Sequence, residues 1–283
     1  MNYEERVVGF IDILGFKDKL TKTVDSNDND VPERITEIIH VYEEIQSIWK
    51  TESISLELNT RKVSIFSDCI VVSFKASEPA QLFTTLVDVK NLIMALIARG
   101  ILCRGALCWG KLLHTEQYLF GPALVEAYTL ESKAALYPRV ILDRDLVNKS
   151  VEYVTDQVEQ NREIDDLLML LNKDTDGMYY IDYFFKAQMA LDRIDKEFPS
   201  YVDNLRKLIA DGLKRNSHSS RAAIKIKYLW MRERFNNMVK EVQSTEYLSS
   251  TKSYVSDDLY IYFKSLKEIS PNRFARSDNL LSR

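Results

Sequence analysis

Two aspartates stand in runs that otherwise have the composition of buried β-strands, and they are the residues of this chain best suited to chemistry. Asp12 follows the apolar run at residues 7–11, and Asp68 separates the strand-like runs at 61–66 and 69–74. Burying an ionised carboxylate without a partner costs several kcal/mol or more. We therefore expect a cation beside them, and a pair of divalent metal ions is the simplest candidate.

The elements around the two aspartates favour the same interpretation. Residues 7–11 have the length and β-branched content of a central strand, and the pattern turns helical after Gly15. A glycine turn before a helix directs backbone N–H groups towards phosphate. Ser67 and Asp68 are predicted to form a two-residue hairpin turn. If that hairpin lies beside the first strand, both carboxylates can reach metal ions about 3.5–4 Å apart, the separation used in phosphoryl transfer.

Each aspartate also has a simpler reading. Asp12 could cap the helix that follows, although the Gly15 turn intervenes. Ser-Asp is also an ordinary turn pair, so Asp68 could serve only the hairpin. The metal interpretation gains from the segments that follow in the chain.

Three further segments follow the two aspartates along the chain, and their order and spacing matter. They are Arg104 six residues before Gly110, a glycine turn and helix at 120–131, and a strand at 138–142. With the two aspartates they resemble the catalytic domain of class III nucleotidyl cyclases, the adenylyl and guanylyl cyclase family. The resemblance covers residues 7 to 145, about half of the chain.

The resemblance implies a reaction. In that family the ribose 3′-oxygen attacks the α-phosphorus of a nucleoside triphosphate, and pyrophosphate leaves. Two divalent ions, Mn²⁺ or Mg²⁺, assist, and positioning with charge neutralisation supplies most of the catalysis. Carried over, Asp12 and Asp68 would be metal ligands, the Ile13 carbonyl a backbone ligand, and Arg104 the residue that binds the triphosphate.

Several positions depart from the purine cyclase pattern. The two base-selecting positions fall at Ser64 and Tyr118, which suit a smaller base. The asparagine and arginine that stabilise the transition state correspond to Val125 and Thr129, neither of which can neutralise phosphate charge. Candidate replacements are Lys133, Arg139 and Lys17. The expected substrate-binding residues are Gly15, Phe16, Ser64, Tyr118 and Lys133.

Within the class III group, the chain is most similar to the bacterial pyrimidine cyclases of the Pycsar anti-phage system. The resemblance implies a cytoplasmic enzyme that makes a cyclic mononucleotide alarm signal from UTP or CTP. It also implies a head-to-tail homodimer in which Asp12, Asp68 and Arg104 face Ser64 and Tyr118 of the partner.

Three function classes remain open. The first is an active nucleotidyl cyclase, pyrimidine-specific or alternatively purine-specific. The second is a catalytically silent cyclase-like domain that binds a nucleotide and signals by contact. Val125 and Thr129 favour this second class, and the two retained aspartates disfavour it. The third is a palm-type polymerase or diguanylate-forming enzyme. The Ser67-Asp68 turn lacks the Gly-Gly-Asp/Glu pattern of that class.

Composition limits other functions. The chain has 283 residues, 46% hydrophobic and 28% charged, enough for a sizeable core. With 38 basic and 42 acidic residues it carries no basic footprint for duplex nucleic acid. We identify no membrane span or signal peptide and expect a cytoplasmic location. The three cysteines are expected to be reduced packing residues, and scattered histidines make a zinc site improbable.

The predicted fold class is α/β (α+β), a palm-like βαββαβ arrangement with a mostly antiparallel sheet and helices on one face. Helices are predicted over 32–50 and from 77 to about 100. Two domains are expected, a catalytic domain at 1–150 and a mainly helical extension at 151–283 packed on it. In the extension we predict helices at 159–171, 201–213 and 224–239 and a strand at 178–184.

Overall fold

The computed structural model describes residues 2–50, 60–78, 81–144, 146, 149 and 164–270. The chain divides into two compact units, Met1–Asp182 and Tyr183–Arg283. Each unit is described by itself.

Among its described residues, the first unit is built on an open sheet of eight strands. The strands are β1 (Glu4–Leu14), β2 (Lys62–Phe66), β3 (Cys69–Lys75), β4 (Leu102–His114), β5 (Leu119–Phe120), β6 (Val140–Leu142), β7 (Leu171–Lys173) and β8 (Tyr179–Ile181). Their order is β2-β3-β1-β4-β6-β8-β7, with β5 paired to β4. β4 and β6 run parallel, and the other pairs are antiparallel. The predicted fold class is confirmed.

Among the described residues of this unit, the helices that accompany the sheet include α1 (Phe16–Leu20), α2 (Pro32–Lys50), α3 (Gln81–Ala98) and α4 (Pro122–Lys133). The helix predicted over 32–50 is confirmed, and α3 matches the second predicted helix. α2 and α3 pack on each other, and α3 also contacts β4 and β8. α4 packs on β1 and β4, where Ala123 and Ala127 meet Val8 and Phe10. Two small residues one turn apart let α4 approach the sheet closely.

Register decides which side chains share a face. On β1, Asp12 pairs with Cys69 of β3 on one side and with Arg104 of β4 on the other. Because strand side chains alternate, Asp12 lies on the same face as Phe10, the face that α4 covers. Gly105 of β4 leaves no room for a side chain, because an added Cβ would lie 2.6 Å from the Phe10 carbonyl oxygen of β1.

Two turns bring backbone segments to the end of β1. Gly15, with φ 76°, ends the strand and precedes α1, a left-handed conformation that glycine adopts without strain. Ser67 has φ 52° and with Asp68 joins β2 to β3, so the predicted two-residue hairpin is confirmed.

The second unit is helical. Its helices are α5 (Ile194–Arg215), α6 (Ala222–Val242), α7 (Thr245–Thr251) and α8 (Asp257–Ser265), with 3₁₀ turns at Phe185–Ala190 and Ser219–Arg221. α5 packs on α6 and α8, and Phe198 meets Phe263 edge to face. The helices predicted over 201–213 and 224–239 are confirmed and extend at both ends.

The region after residue 150 differs from its prediction in part. Residues 159–163 of the helix predicted at 159–171 lie outside the described residues, 164–168 are helical, and Leu171 begins β7. The strand predicted at 178–184 is shorter, as β8, and pairs with β6 and β7. The sheet therefore continues past residue 150. The functional division at that residue stays a prediction.

One described helix, α3, is long and apolar enough to cross a membrane by length and composition alone. Ten of its side chains are buried, including Leu86, Val89 and Leu92. A core helix passes the same test, so this is weak support for a membrane span.

Candidate active site

The two predicted metal carboxylates converge. Asp12 lies near the end of β1, and Asp68 lies in the hairpin turn between β2 and β3. Their nearest ligand atoms and the Cys69 sulfur all lie within 4.8 Å of one another, with each residue half-buried. A hydrogen bond of 2.8 Å from the Ile13 N–H to the Asp68 carbonyl ties the turn to the strand. Two acidic side chains therefore lie together where the end of β1 meets the turn between β2 and β3.

Cys69 is the third group of this cluster and stays a thiol at neutral pH. Burial, followed by the Asp68 and Asp12 carboxylates, raises its pKa to about 12. Its Sγ lies 3.7 Å from Oδ1 of Asp68. A protonated thiol is a poor ligand for hard cations, so the oxygen atoms define what the cluster can bind.

The donor set fits a hard divalent cation. Two carboxylates and a nearby backbone carbonyl are the ligands preferred by Mg²⁺ and Mn²⁺. Ile13, the predicted carbonyl ligand, is adjacent to Asp12 in β1 and has a buried side chain. Asp12, Ile13 and Asp68 are thus the residues that could hold such an ion.

Arg104 lies beside the cluster and is itself held between two acids. Its Nε is 3.5 Å from Oδ2 of Asp12 and 2.6 Å from Oε1 of Glu131. Both contacts are ion pairs rather than directional hydrogen bonds. Glu131 is on α4 and its side chain is only 3% exposed. The arginine therefore lies next to the carboxylate cluster, and its positive charge is already paired with Glu131.

An aromatic pair supports the hairpin turn. The buried ring of Phe16 packs edge to face on Tyr42 of α2, with centroids 6.1 Å apart. The Tyr42 hydroxyl donates to the Ser67 carbonyl. Burial and the Asp68 carboxylate raise the pKa of Tyr42. Phe16 is thus linked through Tyr42 to the turn that carries Asp68, and its role in substrate binding stays a prediction.

Ser64, the predicted base-selecting residue, belongs to a hydrogen-bonded chain. Its Oγ lies 2.9 Å from Nε2 of His114, whose Nδ1 lies 2.8 Å from Oγ of Ser73. Nε of Arg6 donates to the same Ser73 oxygen at 3.0 Å. Burial, and then the charges of Arg6 and Lys62, lower the pKa of His114 to about 4. The histidine is consequently neutral at neutral pH.

Tyr118 and Lys133 are accessible. Tyr118 lies in the turn before β5 and is half exposed. In this turn the Thr115 N–H donates to the Tyr118 carbonyl, and the Tyr118 N–H donates to the Thr115 hydroxyl oxygen. Lys133 ends α4 and is exposed. The role of each in substrate binding stays a prediction.

The helix positions that lack the family's asparagine and arginine offer no charge. Val125 is exposed, and the Thr129 hydroxyl donates to the Val125 carbonyl at 2.7 Å. Arg139 is fully buried and paired with Asp174 and Asp176, so its proposal as a replacement is wrong: its charge is already matched in the interior.

Two residues of the site were not predicted. Glu131 lies in the predicted helix at 120–131, where it continues the buried stripe of Ala123 and Ala127 at intervals of four. A carboxylate at a buried position of a helix predicts that a cationic group lies beside it, because a buried charge needs a partner. His114 gives no such signal, because Ser64 and Ser73 meet it only through strand pairing across 50 and 41 residues.

Comparisons with known proteins give structural likeness only. No family model and no curated protein matches the chain. It is similar to the guanylyl cyclase domain of a RhoGC fusion protein from the aquatic fungus Blastocladiella emersonii, at 14% identity, covering 64% of this chain and 96% of that one, with TM-score 0.41. It is also similar to the adenylyl cyclase CyaB from P. aeruginosa, at 15% identity, covering 64% of this chain and 94% of that one, with TM-score 0.38.

A bacterial light-regulated adenylyl cyclase is similar at 17% identity, with 55% of this chain covered and TM-score 0.36. The chain spans about half of that protein, 46% of its length. Likenesses with TM-scores this low carry no inference about activity or substrate.

Proposed function

We propose that the chain is a nucleotidyl cyclase that converts a nucleoside triphosphate, UTP or CTP, to the 3′,5′-cyclic mononucleotide and pyrophosphate. The observation that carries the proposal is the convergence of the Asp12 and Asp68 carboxylates within 4.8 Å, beside Arg104. Two acids and one arginine at the end of a central strand match the needs of triphosphate chemistry, in which charge must be held on both sides of the reacting phosphorus.

Each residue has a role in this reaction. Asp12 and Asp68, with the Ile13 carbonyl, would hold Mg²⁺ or Mn²⁺, which would lower the pKa of the ribose 3′-hydroxyl and stabilise charge on the phosphates. Arg104 would turn from Asp12 to the triphosphate while Glu131 keeps its position. The 3′-hydroxyl gives its proton to solvent, and the 3′-oxygen forms a bond to the α-phosphorus. The bond between that phosphorus and the oxygen that bridges to the β-phosphate breaks, and pyrophosphate carries the electron pair away.

The wider setting belongs to the same proposal. We infer a cytoplasmic homodimer whose product serves as an anti-phage signal, as the resemblance to the Pycsar cyclases implies. A purine cyclase, which would use the same two carboxylates with other base-facing residues, is the alternative within this class. A silent nucleotide-binding domain is the second candidate function, because Val125 and Thr129 offer no charge where the family has an arginine.

The test is to incubate the purified chain with each of the four NTPs and Mn²⁺ or Mg²⁺, and to identify products by mass. We expect a cyclic pyrimidine mononucleotide with equimolar pyrophosphate. Asp68→Asn should lower turnover by at least about a hundredfold and weaken Mn²⁺ binding, because a ligand is lost. Asp18→Asn, an exposed acid of α1, is the matched control and should change neither.

Two outcomes would contradict the proposal. Nucleotide binding without any product would move the assignment to the silent domain. Equal Mn²⁺ binding in Asp68→Asn and the unmodified chain would show that the carboxylate cluster does not hold the metal.

A further inference from the structure

The chain of hydrogen bonds that ends at Ser64 has a fixed direction. It starts at Arg6, a side chain that is 98% buried and can only donate. Arg6 also donates to Glu4 and to the Thr60 carbonyl, so its guanidinium is fixed in place. Its Nε–H therefore makes the Ser73 oxygen an acceptor.

The Ser73 hydroxyl then determines which nitrogen of His114 carries the proton. The Ser73 hydroxyl is fully buried, and among the described residues its oxygen meets only Arg6 and His114. If Nδ1 of His114 carried the proton, Ser73 would accept twice and its own O–H would be buried without an acceptor. The arrangement that satisfies every group has Ser73 donating to Nδ1, with the ring proton on Nε2.

The tautomer of His114 determines what the Ser64 hydroxyl can do. Nε2–H of His114 donates to the Ser64 oxygen, so the Ser64 hydroxyl hydrogen is free to point elsewhere. No other described residue accepts it. Ser64 is half-buried on β2 opposite Val71, which pairs with Phe10 on the face that carries Asp12. A donor is thus presented to whatever lies over this face of the sheet.

We propose that His114 sets Ser64 as a hydrogen-bond donor to the nucleobase, so that the site selects a base with a carbonyl acceptor, uracil among the pyrimidines, over one with an amino group. This inference rests on the proposed function and narrows it. With uracil, every bond from Arg6 to the base runs in one direction, which strengthens each of them. With cytosine, the amino group meets a donor, and either it or the Ser64 O–H loses its partner.

The first test reads the tautomer of His114 without any nucleotide. The chain contains only three histidines, His40, His114 and His218, so ¹⁵N-histidine NMR with His114→Gln for assignment is feasible. We expect the Nε2–H tautomer at pH 7. Ser73→Ala should release it to a mixture of tautomers, and Ser73→Thr, which keeps the hydroxyl, should restore it. An Nδ1–H tautomer or a charged ring at pH 7 would overturn the inference.

The second test reads base selection. We expect kcat/KM for UTP to exceed that for CTP by about tenfold, the worth of one matched hydrogen bond. Ser64→Ala should bring the ratio close to one, and Ser73→Ala, which cannot touch the base, should lower it while Ser73→Thr keeps it. A preference for CTP, or a ratio unchanged in Ser64→Ala, would overturn the inference.

Failure of the proposed function is distinguishable from failure of this inference. If no NTP is cyclised, the same four variants are compared by equilibrium binding of UTP and CTP in Ca²⁺. Tighter binding of UTP that depends on Ser64 and Ser73 would support base selection in a silent domain. Equal binding of both nucleotides would refute it.

Discussion

Arg104 sits between Asp12 and Glu131, and this placement bears directly on how the site could work. The shorter contact, 2.6 Å, is to Glu131 on the helix, and the longer one, 3.5 Å, is to the metal carboxylate. A buried ion pair is costly to break by removing one partner, because the other charge stays behind. With Glu131 as its closer partner, Arg104 does not pair fully with Asp12, and we expect that carboxylate to remain available to a metal ion.

Glu131→Gln tests this arrangement. The change keeps the size and removes the charge, so Arg104 should move towards Asp12 and compete with the metal. We expect a weaker apparent Mn²⁺ affinity and a fall in kcat/KM of about tenfold, measured by metal titration and steady-state kinetics. Glu126→Gln, an exposed acid of the same helix, is the control and should leave both values unchanged. A rise in Mn²⁺ affinity in Glu131→Gln would refute the role.

His114 makes a second prediction at this scale, on the pH dependence of stability. Its pKa, lowered to about 4 in the folded chain by burial, Arg6 and Lys62, lies below the unfolded value of 6.5. Between these two values the unfolded chain binds the extra proton. The contribution of His114 to stability is therefore complete above pH 6.5 and is lost as the pH falls towards 4.

The measurement is chemical denaturation from pH 7 to pH 4.5. We expect the unmodified chain to lose up to about 1.4 kcal/mol per pH unit more than His114→Gln over this range. The comparison isolates this group, because the other titrating groups are common to both proteins. Parallel stability curves for the two would show that the histidine is not held neutral.

At the scale of strands and turns, strand register determines which side chains of the site lie next to one another. Asp12 and Arg104 are direct partners in the β1–β4 register, and Asp12 and Cys69 in the β1–β3 register. A shift of one residue would turn all of these side chains to the other face. In this register Gly105 has no room for a side chain, because an added Cβ would meet the backbone of β1.

Gly105→Ala is the corresponding prediction. A Cβ at this position would lie 2.6 Å from the Phe10 carbonyl oxygen and 3.1 Å from the Ile11 Cα, both backbone atoms that cannot move aside. We expect the free energy of unfolding to fall by about 2 kcal/mol or more, measured by urea denaturation. Gly110→Ala is the comparison, since its nearest atom is the Ala123 Cβ at 3.2 Å, and it should cost less. An equal loss in both variants would contradict the argument.

Sequence patterns predicted much at this scale. α2 was predicted at its observed bounds, because capping signals and an amphipathic period belong to one segment. The Ser67-Asp68 hairpin was readable for the same reason. β7 was not predicted, and its first residue, Leu171, was placed at the end of a predicted helix. Three residues, Leu171–Lys173, are too few to show an alternating pattern and become a strand only by pairing with β8.

At the scale of the whole molecule, a homodimer with shared sites is the central expectation. The first unit exposes several aromatic side chains, among them Phe66, Tyr118, Phe120 and Tyr128. In the proposed head-to-tail arrangement, one protomer supplies Asp68 and the other supplies Ser64.

Complementation tests that arrangement. We combine Asp68→Asn, which removes a metal ligand, with Ser64→Phe, which fills the base position. A mixed dimer then has one site with both changes and one with neither. Since random exchange puts half of the protomers into mixed dimers, we expect about a quarter of the unmodified activity from two inactive proteins, measured by product mass. A mixture that stays inactive after subunit exchange, confirmed by light scattering, would refute shared sites.

The sequence alone determined the parts of this protein that depend on neighbours in the chain. Asp12 at the end of a β-branched run, Asp68 in a two-residue turn and Gly15 before a helix were all readable, because strand, turn and capping preferences are local. Tertiary structure alone decided the partners of those residues. The ion pair from Arg104 to Glu131 and the chain from Arg6 to Ser64 join positions on separate strands and helices. Which atoms meet across such distances is set by register and close packing, and neither is written in any single segment.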